Sequence, residues 1–362
     1  MSDTTTKEPA LAISGSRLFT LWLAARKASL AFTTHRSGKL FLIGLKPDGA
    51  LSVFERTFDQ CMGMGVHKQQ LWVSSHYQLW RFGNFLDAGQ QANGYDALYV
   101  PVTGYTTGDV DIHDIHVGAN GKPVFVVSRF NCLATVSDRG SFRPIWRPPF
   151  IDRIAAGDRC HLNGMAVRED GLPSYVTCFG KSNVADGWRQ HRRDGGVVID
   201  VDSGEMVATG LSMPHSPRLY NGSLWIVQTG TGEFGRIDTA TGAFEAVCRL
   251  PGFARGITFL DDYAVIGLSR PFENRTFQGL PLNERLEQEG AEPVCGLAVV
   301  ILSSGEIEHQ LEIKGVVNEI YDVGSLPGVI RPMALGFKND EIRFAVRPEK
   351  EATDTLSSEN FA

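Results

Sequence analysis

Residues 215–227 read HSPRLYNGSLWIV: a short strand, an Asn-Gly turn and a second strand of branched and aromatic residues. Two apolar runs joined by Asn-Gly predict a tight antiparallel hairpin. The same order of polar opening, turn and apolar strand recurs along the chain. The other copies are CMGMGVHKQQLWV (61–73), HDIHVGANGKPVFVV (113–127), NGMAVREDGLPSYV (163–176), RGITFLDDYAVIG (255–267) and RPMALGFKNDEIRFAV (331–346). The chain is therefore built from repeats.

The second half of the repeat also recurs. Residues 29–58, SLAFTTHRSGKLFLIGLKPDGALSVFERTF, match residues 223–250, SLWIVQTGTGEFGRIDTATGAFEAVCRL. Four short strands repeated at roughly 40–50 residues are typical of propeller blades. Six innermost strands therefore predict an all-β, six-bladed β-propeller.

The two ends of the repeat array are incomplete. The segment from Ser29 lacks an innermost strand and the segment from Arg331 lacks outer strands, so we expect N- and C-terminal strands to close the ring together. Residues 29–34 and 341–346 both resemble the second strand of that blade. Seven blades therefore remain an alternative.

Composition narrows the class of protein. The chain has 362 residues and a net charge of −6, which argues against a nucleic-acid partner, and it lacks an apolar run long enough to span a membrane. Six cysteines without a CxxC motif are typical of reduced thiols in a cytoplasmic protein. Residues 18–25 predict a short N-terminal helix. We expect one propeller domain (15–347) between flexible ends (1–14 and 348–362).

The lengths of the predicted loops indicate which end of the propeller carries the functional site. The turns between first and second strands are short, whereas long connections at residues 83–94, 151–160, 180–195 and 269–294 are assigned to the other end of the blades. Binding groups usually lie on such loops, held by a rigid scaffold. We therefore expect a site at the loop-rich mouth of the central channel.

The first residues of the innermost strands should converge on that mouth. They are Met62, His113, Asn163, His215, Arg255 and Arg331. His161 and Asp111 lie two residues before two of these positions and could face the same way. Arg270 and Glu273 open the longest insertion and could reach over the channel.

Two chemistries fit these residue types. His113 and His215, with His161 or Asp111, could hold one divalent metal ion. Alternatively Arg255 and Arg331 could bind a carboxylate, phosphate or sulfate, while His113, His215 or His161 acts as general acid or base. The two arginines could instead pair with Asp111, Glu273 or Glu319 within the fold.

Asn163, Arg270 and Glu273 would then complete the binding of a small anionic molecule. The leading hypothesis is a small-molecule enzyme, a hydrolase, lyase or transferase, with or without a metal. The alternatives are a non-catalytic sensor of anionic metabolites and a protein-interaction platform.

Three strings resemble a known family. MPHSPRLYNGSLWI, LPGFARGITF with GLSRPFEN, and SLAFTTHRSGKLFLIGL with FERTFDQCMGM are similar to an uncharacterised bacterial family of conserved hypothetical proteins that carry a domain of unknown function. The resemblance covers about residues 29–347. It implies a β-propeller and no established activity.

More distant resemblances concern the mouth. Residues 161–177 are similar to a step in the gluconolactonase and senescence-marker propellers, which implies a calcium or zinc site of Glu, Asn, Asn and Asp. Only Asn163 carries over, which puts that site in doubt. Arylsulfotransferase-like propellers are similar to this mouth in their histidine and arginine content alone.

Overall fold

The structure is a computed structural model that describes residues 11–270 and 275–348. It contains two α-helices and 26 strands in that part of the chain. The N-terminal elements are β1 (Leu11–Gly15), α1 (Phe19–Ala25), β2 (Ala28–Thr34), β3 (Lys39–Leu45) and β4 (Leu51–Thr57). There follow β5 (Met64–His67), β6 (Gln70–Ser74), β7 (Gln78–Asn84), β8 (Ala97–Thr106), β9 (Ile112–Val117), β10 (Pro123–Val127), β11 (Cys132–Thr135) and β12 (Arg143–Trp146).

The second half of the chain continues the same antiparallel pattern. Its elements are β13 (Leu162–Val167), β14 (Pro173–Cys178), β15 (Gly196–Asp200), β16 (Met206–Leu211), β17 (Pro214–Tyr220), β18 (Ser223–Gln228), β19 (Glu233–Ile237), β20 (Phe244–Arg249), β21 (Phe253–Leu260), β22 (Tyr263–Ser269), α2 (Pro281–Glu289), β23 (Gly296–Ile301), β24 (Ile307–Gly315), β25 (Val323–Pro327) and β26 (Pro332–Ala334). Single 3₁₀ turns occupy Ser128–Phe130, Gly187–His191, Arg275–Phe277 and Asp340–Phe344.

The strands form six sheets, which are the six blades of a propeller. Blade 1 is β25-β2-β3-β4, blades 2 to 5 begin with β5, β9, β13 and β17, and blade 6 begins with β21. Each innermost strand contacts the innermost strands of the neighbouring blades around a closed ring. The prediction of a six-bladed β-propeller is confirmed.

The ring is closed within blade 1. Strand β25 pairs antiparallel with β2, so that Val323 lies opposite Phe32 and Pro327 opposite Ala28. A strand from the C-terminal part of the chain thus completes a sheet whose other strands are N-terminal. This is the predicted closure between N- and C-terminal strands.

The strand that closes the ring is not the one expected from the sequence. Residues after Arg331 form β26, which pairs parallel with the outermost strand of blade 2, β8. Asp340–Phe344 is a 3₁₀ turn rather than a strand, so it does not compete with β2. The assignment of Arg331 to an innermost strand was therefore wrong, and the argument for a seventh blade disappears with it.

The N-terminal elements brace the closed ring. Strand β1 adds to β24 as a fifth strand of blade 6, so residues 11–14 of the segment expected to be flexible are paired. Helix α1 confirms the predicted short helix and buries Phe19, Trp22 and Leu23 against blades 1 and 6. Residues 1–10 and 349–362, where the remaining flexible ends were predicted, lie outside the described residues.

The hydrophobic core lies between adjacent blades. Branched and aromatic side chains of facing sheets form one cluster at each of the six junctions. Hydroxyls near the end of the second strands then link each blade to its neighbour. Ser269 Oγ donates to Ile320 O over 3.0 Å and Thr229 Oγ1 to Ala254 O over 2.6 Å. These bonds fix the residues just before the mouth of the channel.

Most long connections emerge at one end of the blades, as expected. Residues 179–195 join β14 to β15, and residues 270–295 join β22 to β23. Residues 85–96, however, join the third and fourth strands of blade 2 and therefore lie at the opposite end. Their assignment to the mouth was wrong.

Within the described ranges, no helix is both long and apolar enough to cross a membrane. All six cysteines are buried free thiols.

Candidate functional site

Six equivalent residues surround the channel where the innermost strands begin. The six innermost strands can be aligned on the residue that directly follows each mouth residue. Around the ring, this following residue alternates between glycine and a small polar side chain. That second series is Gly63, Asp114, Gly164, Ser216, Gly256 and Asp322. The mouth residues are therefore Met62, His113, Asn163, His215, Arg255 and Tyr321. Five of the six were identified from the sequence.

The second series of residues links the innermost strands of neighbouring blades at the mouth. Asp322 accepts a hydrogen bond from Met64 N, and Ser216 Oγ accepts one from Gly256 N, over 3.0 and 2.9 Å. Each polar side chain thereby bonds to the backbone of the next blade. A Cβ added at Gly256, whose φ is +70°, would lie 2.6 Å from Val323 N. Glycine is needed there because two innermost strands approach closely.

Arg331, the sixth residue expected at the mouth, lies on the outside of the propeller. Its guanidinium stacks 4.3 Å from the Tyr95 ring, and its Nε donates to Ser52 Oγ over 3.2 Å. The Asp96 carboxylate accepts its backbone N–H. Arg331 therefore cannot join Arg255 in a clamp on one anion, since it packs between blades 1 and 2.

Three histidines at the mouth are held by their Nδ1 atoms. His113 Nδ1 lies 3.1 Å from Asp111 O, and His161 Nδ1 lies 2.8 Å from Asp158 Oδ2. His215 Nδ1 lies 2.8 Å from Thr229 Oγ1 and 3.2 Å from a backbone carbonyl. The Thr229 hydroxyl already donates to Ala254 O. All three Nδ1 atoms therefore carry the proton, which leaves each Nε2 as the free nitrogen in the neutral ring.

Electrostatics keep two of these rings neutral at pH 7. Burial, aided by the nearby His161, lowers the pKa of His113 to about 4. Burial and the positive charge of Arg255 hold the pKa of His215 well below its usual range. Burial alone would raise the pKa of Asp158, but the charge of His161 and its hydrogen bond outweigh burial and lower that pKa. His161 thus has an ionised carboxylate behind it.

Arg255 is a buried cation whose neighbours are aromatic. It is 9% exposed, and its guanidinium lies between two aromatic rings, 4.7 Å from Phe277 and 5.2 Å from Tyr321. Within the described residues it forms no ion pair, and its Nε–H has no acceptor. Arginine keeps its charge in proteins, so this guanidinium is suited to pair with an anion.

Asn163 occupies the mouth position two blades away from Arg255. Its Oδ1 accepts a hydrogen bond from Thr177 Oγ1 over 2.7 Å, which fixes the amide. Its Nδ2 is buried and, in the described part of the chain, donates to no acceptor. Asn163, like Arg255, therefore presents an unused donor.

A small aromatic roof covers one side of the mouth. The loop after β14 contributes Phe179 and Trp188, and the insertion after β22 contributes Phe277; these side chains form one buried cluster with α2. Trp188 Nε1 donates to Asp158 Oδ2 over 3.0 Å, so the roof also orients the carboxylate behind His161. Arg192 and Arg193 tie the two loops together by donating to carbonyls of residues 275–279.

Of the two residues predicted to reach over the channel, the structure describes Arg270 but not Glu273. Arg270 lies at the end of the second strand of blade 6, where its backbone N–H donates to Asn318 O over 2.7 Å. Glu273 lies outside the described residues. No substrate contact of either residue is tested by the structure.

The predicted metal ligands do not form a compact group. In residues 11–270 and 275–348, no three His, Cys, Asp or Glu side chains are arranged to hold a metal ion. The metal hypothesis therefore gains no support from the geometry.

Sequence reasoning missed Tyr321 and His35, whose rings lie 5.9 Å apart. Tyr321 is 7% exposed and its ring lies 5.3 Å from His113. Burial raises the pKa of Tyr321 well above its usual range, so the phenol keeps its proton. The pair Tyr321-Asp322 repeats His113-Asp114 in the chain, and this match could have revealed it. His35 lies in a connecting segment without a repeat to mark it.

The sequence of the chain also identifies its relatives. The profile described as "Domain of unknown function (DUF4915)" matches residues 17–335. The chain belongs to the DUF4915 family. This agrees with the resemblance noted from its repeat strings. A search of curated proteins found no match to this DUF4915 protein.

Several solved structures are similar to the DUF4915 protein at low sequence identity. A chain of a nidogen/laminin complex is 10% identical with a TM-score of 0.51, covering 83% of this chain and 99% of that one. A catalytically inactive variant of virginiamycin B lyase from Staphylococcus aureus is 13% identical with a TM-score of 0.40, covering 84% and 100%. A putative oxidoreductase (glucose dehydrogenase) from Thermus thermophilus is 13% identical with a TM-score of 0.45, covering 77% and 91%. At these identities the similarity concerns the fold alone.

Proposed function

We propose that the mouth of the channel binds a small anionic molecule, carboxylate, phosphate or sulfate, with Arg255 as the group that recognises its charge. The observation that carries this proposal is the buried guanidinium without an ionic partner in the described residues. Burying an unpaired charge costs several kcal/mol, and a bound anion would offset that cost. The flanking rings of Phe277 and Tyr321 hold the guanidinium in place for a ligand.

We further propose that the site is enzymatic and transfers a proton. His161 is oriented by the ionised Asp158, and Trp188 orients that carboxylate in turn. An imidazole aligned by a carboxylate is suited to act as a general base and then as a general acid. His113 and His215 present neutral acceptors beside it. The hydrolase, lyase or transferase reaction of such a site would proceed through water or through proton abstraction.

The anion proposal can be tested without knowing the substrate. Sulfate, phosphate, acetate and citrate would each be titrated by isothermal calorimetry at constant ionic strength, against wild type, Arg255→Met and Arg153→Met. Arg153 is a matched control, because it lies in a loop at the same end of the blades but its side chain is 77% exposed and its ion-pair partner Asp152 is exposed too. We expect saturable binding of at least one anion to wild type and Arg153→Met, with at least a tenfold loss in Arg255→Met. Equal affinities in all three proteins, or no binding of any anion to wild type, would overturn the proposal.

We also propose that the protein works in the cytoplasm. All six thiols are reduced and buried, and burial raises the pKa of Cys61, Cys132 and Cys295 to about 12. Such thiols are unreactive structural groups rather than disulfide partners. Fractionation of cells that produce the native chain, followed by immunoblotting, tests this location.

A further inference from the structure

Three neighbouring blades each leave one buried polar atom unpaired at the mouth. The atoms are Nδ2 of Asn163, Nε2 of His215 and Nε of Arg255, none of which has a hydrogen-bond partner among the described residues. The three residues occupy equivalent positions in consecutive blades, and their strands β13, β17 and β21 contact one another in that order. Along the rim of the channel, this row of atoms therefore consists of a donor on Asn163, an acceptor on His215 and a charged donor on Arg255.

The middle position of the row is an acceptor for a structural reason. His215 Nδ1 faces Met213 O, which can only accept, and Thr229 Oγ1, whose proton is used on Ala254 O. The imidazole proton therefore lies on Nδ1 and Nε2 carries a lone pair. His215 is 3% exposed, so this lone pair is shielded from bulk water.

A hydroxyl is the ligand group whose chemistry suits both of the first two positions. A hydroxyl can donate to His215 Nε2 and accept from Asn163 Nδ2 at the same time. A carbonyl oxygen cannot donate to the imidazole. An ammonium group cannot accept from the amide, and the neighbouring Arg255 repels it. A methylene leaves both buried polar atoms unpaired, which is costly.

We propose that the ligand is a hydroxy acid: an anion whose acidic group binds Arg255 and whose adjacent hydroxyl bridges Asn163 and His215. This inference rests on the proposed anion site and specifies the class of molecule that fills it. The acidic group lies at the Arg255 end because the row runs from an uncharged donor to the charged one. Tyr321, on the far side of Arg255, supplies a further protonated donor for the anion.

The test compares acids with and without hydroxyls: malate and succinate differ at one carbon, and glycerol 3-phosphate and propyl phosphate differ at two. Binding of D- and L-malate, aspartate and succinate would be measured by isothermal calorimetry at constant ionic strength, together with glycerol 3-phosphate and propyl phosphate. The first set varies the substituent next to a carboxylate, and the second asks whether a phosphate replaces it. The proteins are wild type, Asn163→Ala, His215→Phe and Arg255→Met, each checked for folding by circular dichroism.

We expect wild type to bind one malate enantiomer, or glycerol 3-phosphate, at least tenfold more tightly than its partner without the hydroxyl. Asn163→Ala and His215→Phe should reduce that ratio to about twofold or less, while Arg255→Met should weaken both members of the pair. The wild-type comparison remains decisive if a variant fails to fold.

Two other outcomes separate the two proposals. If succinate or propyl phosphate binds as tightly as its hydroxylated partner and Arg255→Met abolishes both, the hydroxyl inference is wrong and the anion site stands. Preferential binding of aspartate would equally overturn the inference. If none of the acids binds, or Arg255→Met changes nothing, the anion site itself is refuted.

Discussion

Replacing Arg255 with methionine should stabilise the ligand-free protein while removing the anion site. A buried charge without a partner carries a desolvation penalty of several kcal/mol. The two aromatic contacts, at 4.7 and 5.2 Å, return about 1–2 kcal/mol each. Methionine is apolar, flexible and packs well against Phe277 and Tyr321. The net gain in the free energy of unfolding is therefore about 1–3 kcal/mol.

The gain can be measured by urea unfolding and by scanning calorimetry. With an unfolding entropy of about 2 cal/mol/K per residue, a gain of 2 kcal/mol raises Tm by about 2–3 °C for 362 residues. Arg153→Met is the control and should change stability by less than about 0.5 kcal/mol, since its side chain is 77% exposed and its ion-pair partner Asp152 is exposed too. A loss of more than about 1 kcal/mol in Arg255→Met would refute the reasoning, because it would show that Arg255 stabilises the fold rather than awaiting a ligand.

Three further predictions concern the ring around the channel. Burial and the neighbouring Asp114 raise the pKa of Asp322 to about 7, so the native state retains a proton that the unfolded chain releases above about pH 4. Asp322 therefore contributes up to about 4 kcal/mol less stability at pH 7 than at pH 4, whereas the buried neutral His113 and His215 contribute the opposite trend in wild type and in Asp322→Asn alike. Urea unfolding should show that the free energy of unfolding of wild type falls relative to that of Asp322→Asn as the pH rises from about 4 to 7. Gly256→Ala forces a Cβ into the backbone of blade 1 and should cost about 3 kcal/mol or more by the same assay, whereas Gly222→Ala, with open space around it, should cost about 1 kcal/mol. Thr229→Val removes the hydroxyl that bonds both His215 Nδ1 and Ala254 O; we expect a loss of about 1–3 kcal/mol by urea unfolding, while long-range ¹⁵N–¹H NMR spectra should still show the Nδ1–H tautomer of His215, because Met213 O remains as its acceptor.

The repeated strands made most of the fold readable from the sequence. Five mouth residues follow from the alignment of hairpins, because each innermost strand is followed by a short turn and its partner strand. The sixth mouth residue, Tyr321, cannot be found from this alignment. Its strand β25 is not followed by a partner strand, because it pairs with β2 from the other end of the chain. Residues 331–346 resemble a hairpin better than residues 321–327 do, so local pattern favoured Arg331 over Tyr321. The match of Tyr321-Asp322 with His113-Asp114 is the one sequence signal against that choice, and the three-dimensional register decides it.

The candidate site was predictable in its residue types and not in its bonding. The sequence placed His113, Asn163, His215 and Arg255 at one rim, because strand position determines direction. It could not show that Asp158 aligns His161 or that Arg255 lacks a carboxylate among the described residues, since those facts depend on loops of irregular shape. The roof formed by residues 179–195 and 275–289 follows from tertiary packing of single aromatic side chains, for which the repeat carries no signal.

The closure of the ring also has a consequence for biosynthesis. About 290 residues separate the paired strands β2 and β25 along the chain. At 5–20 residues per second, a ribosome needs roughly 15–60 s to deliver the second strand after the first. During that interval the apolar edge of β2 is unprotected, which is a hazard for aggregation and an opportunity for chaperones. Because Tyr321 lies just before β25, a nascent chain that still lacks this strand cannot assemble the complete mouth, and ligand affinity would report that the ring has closed.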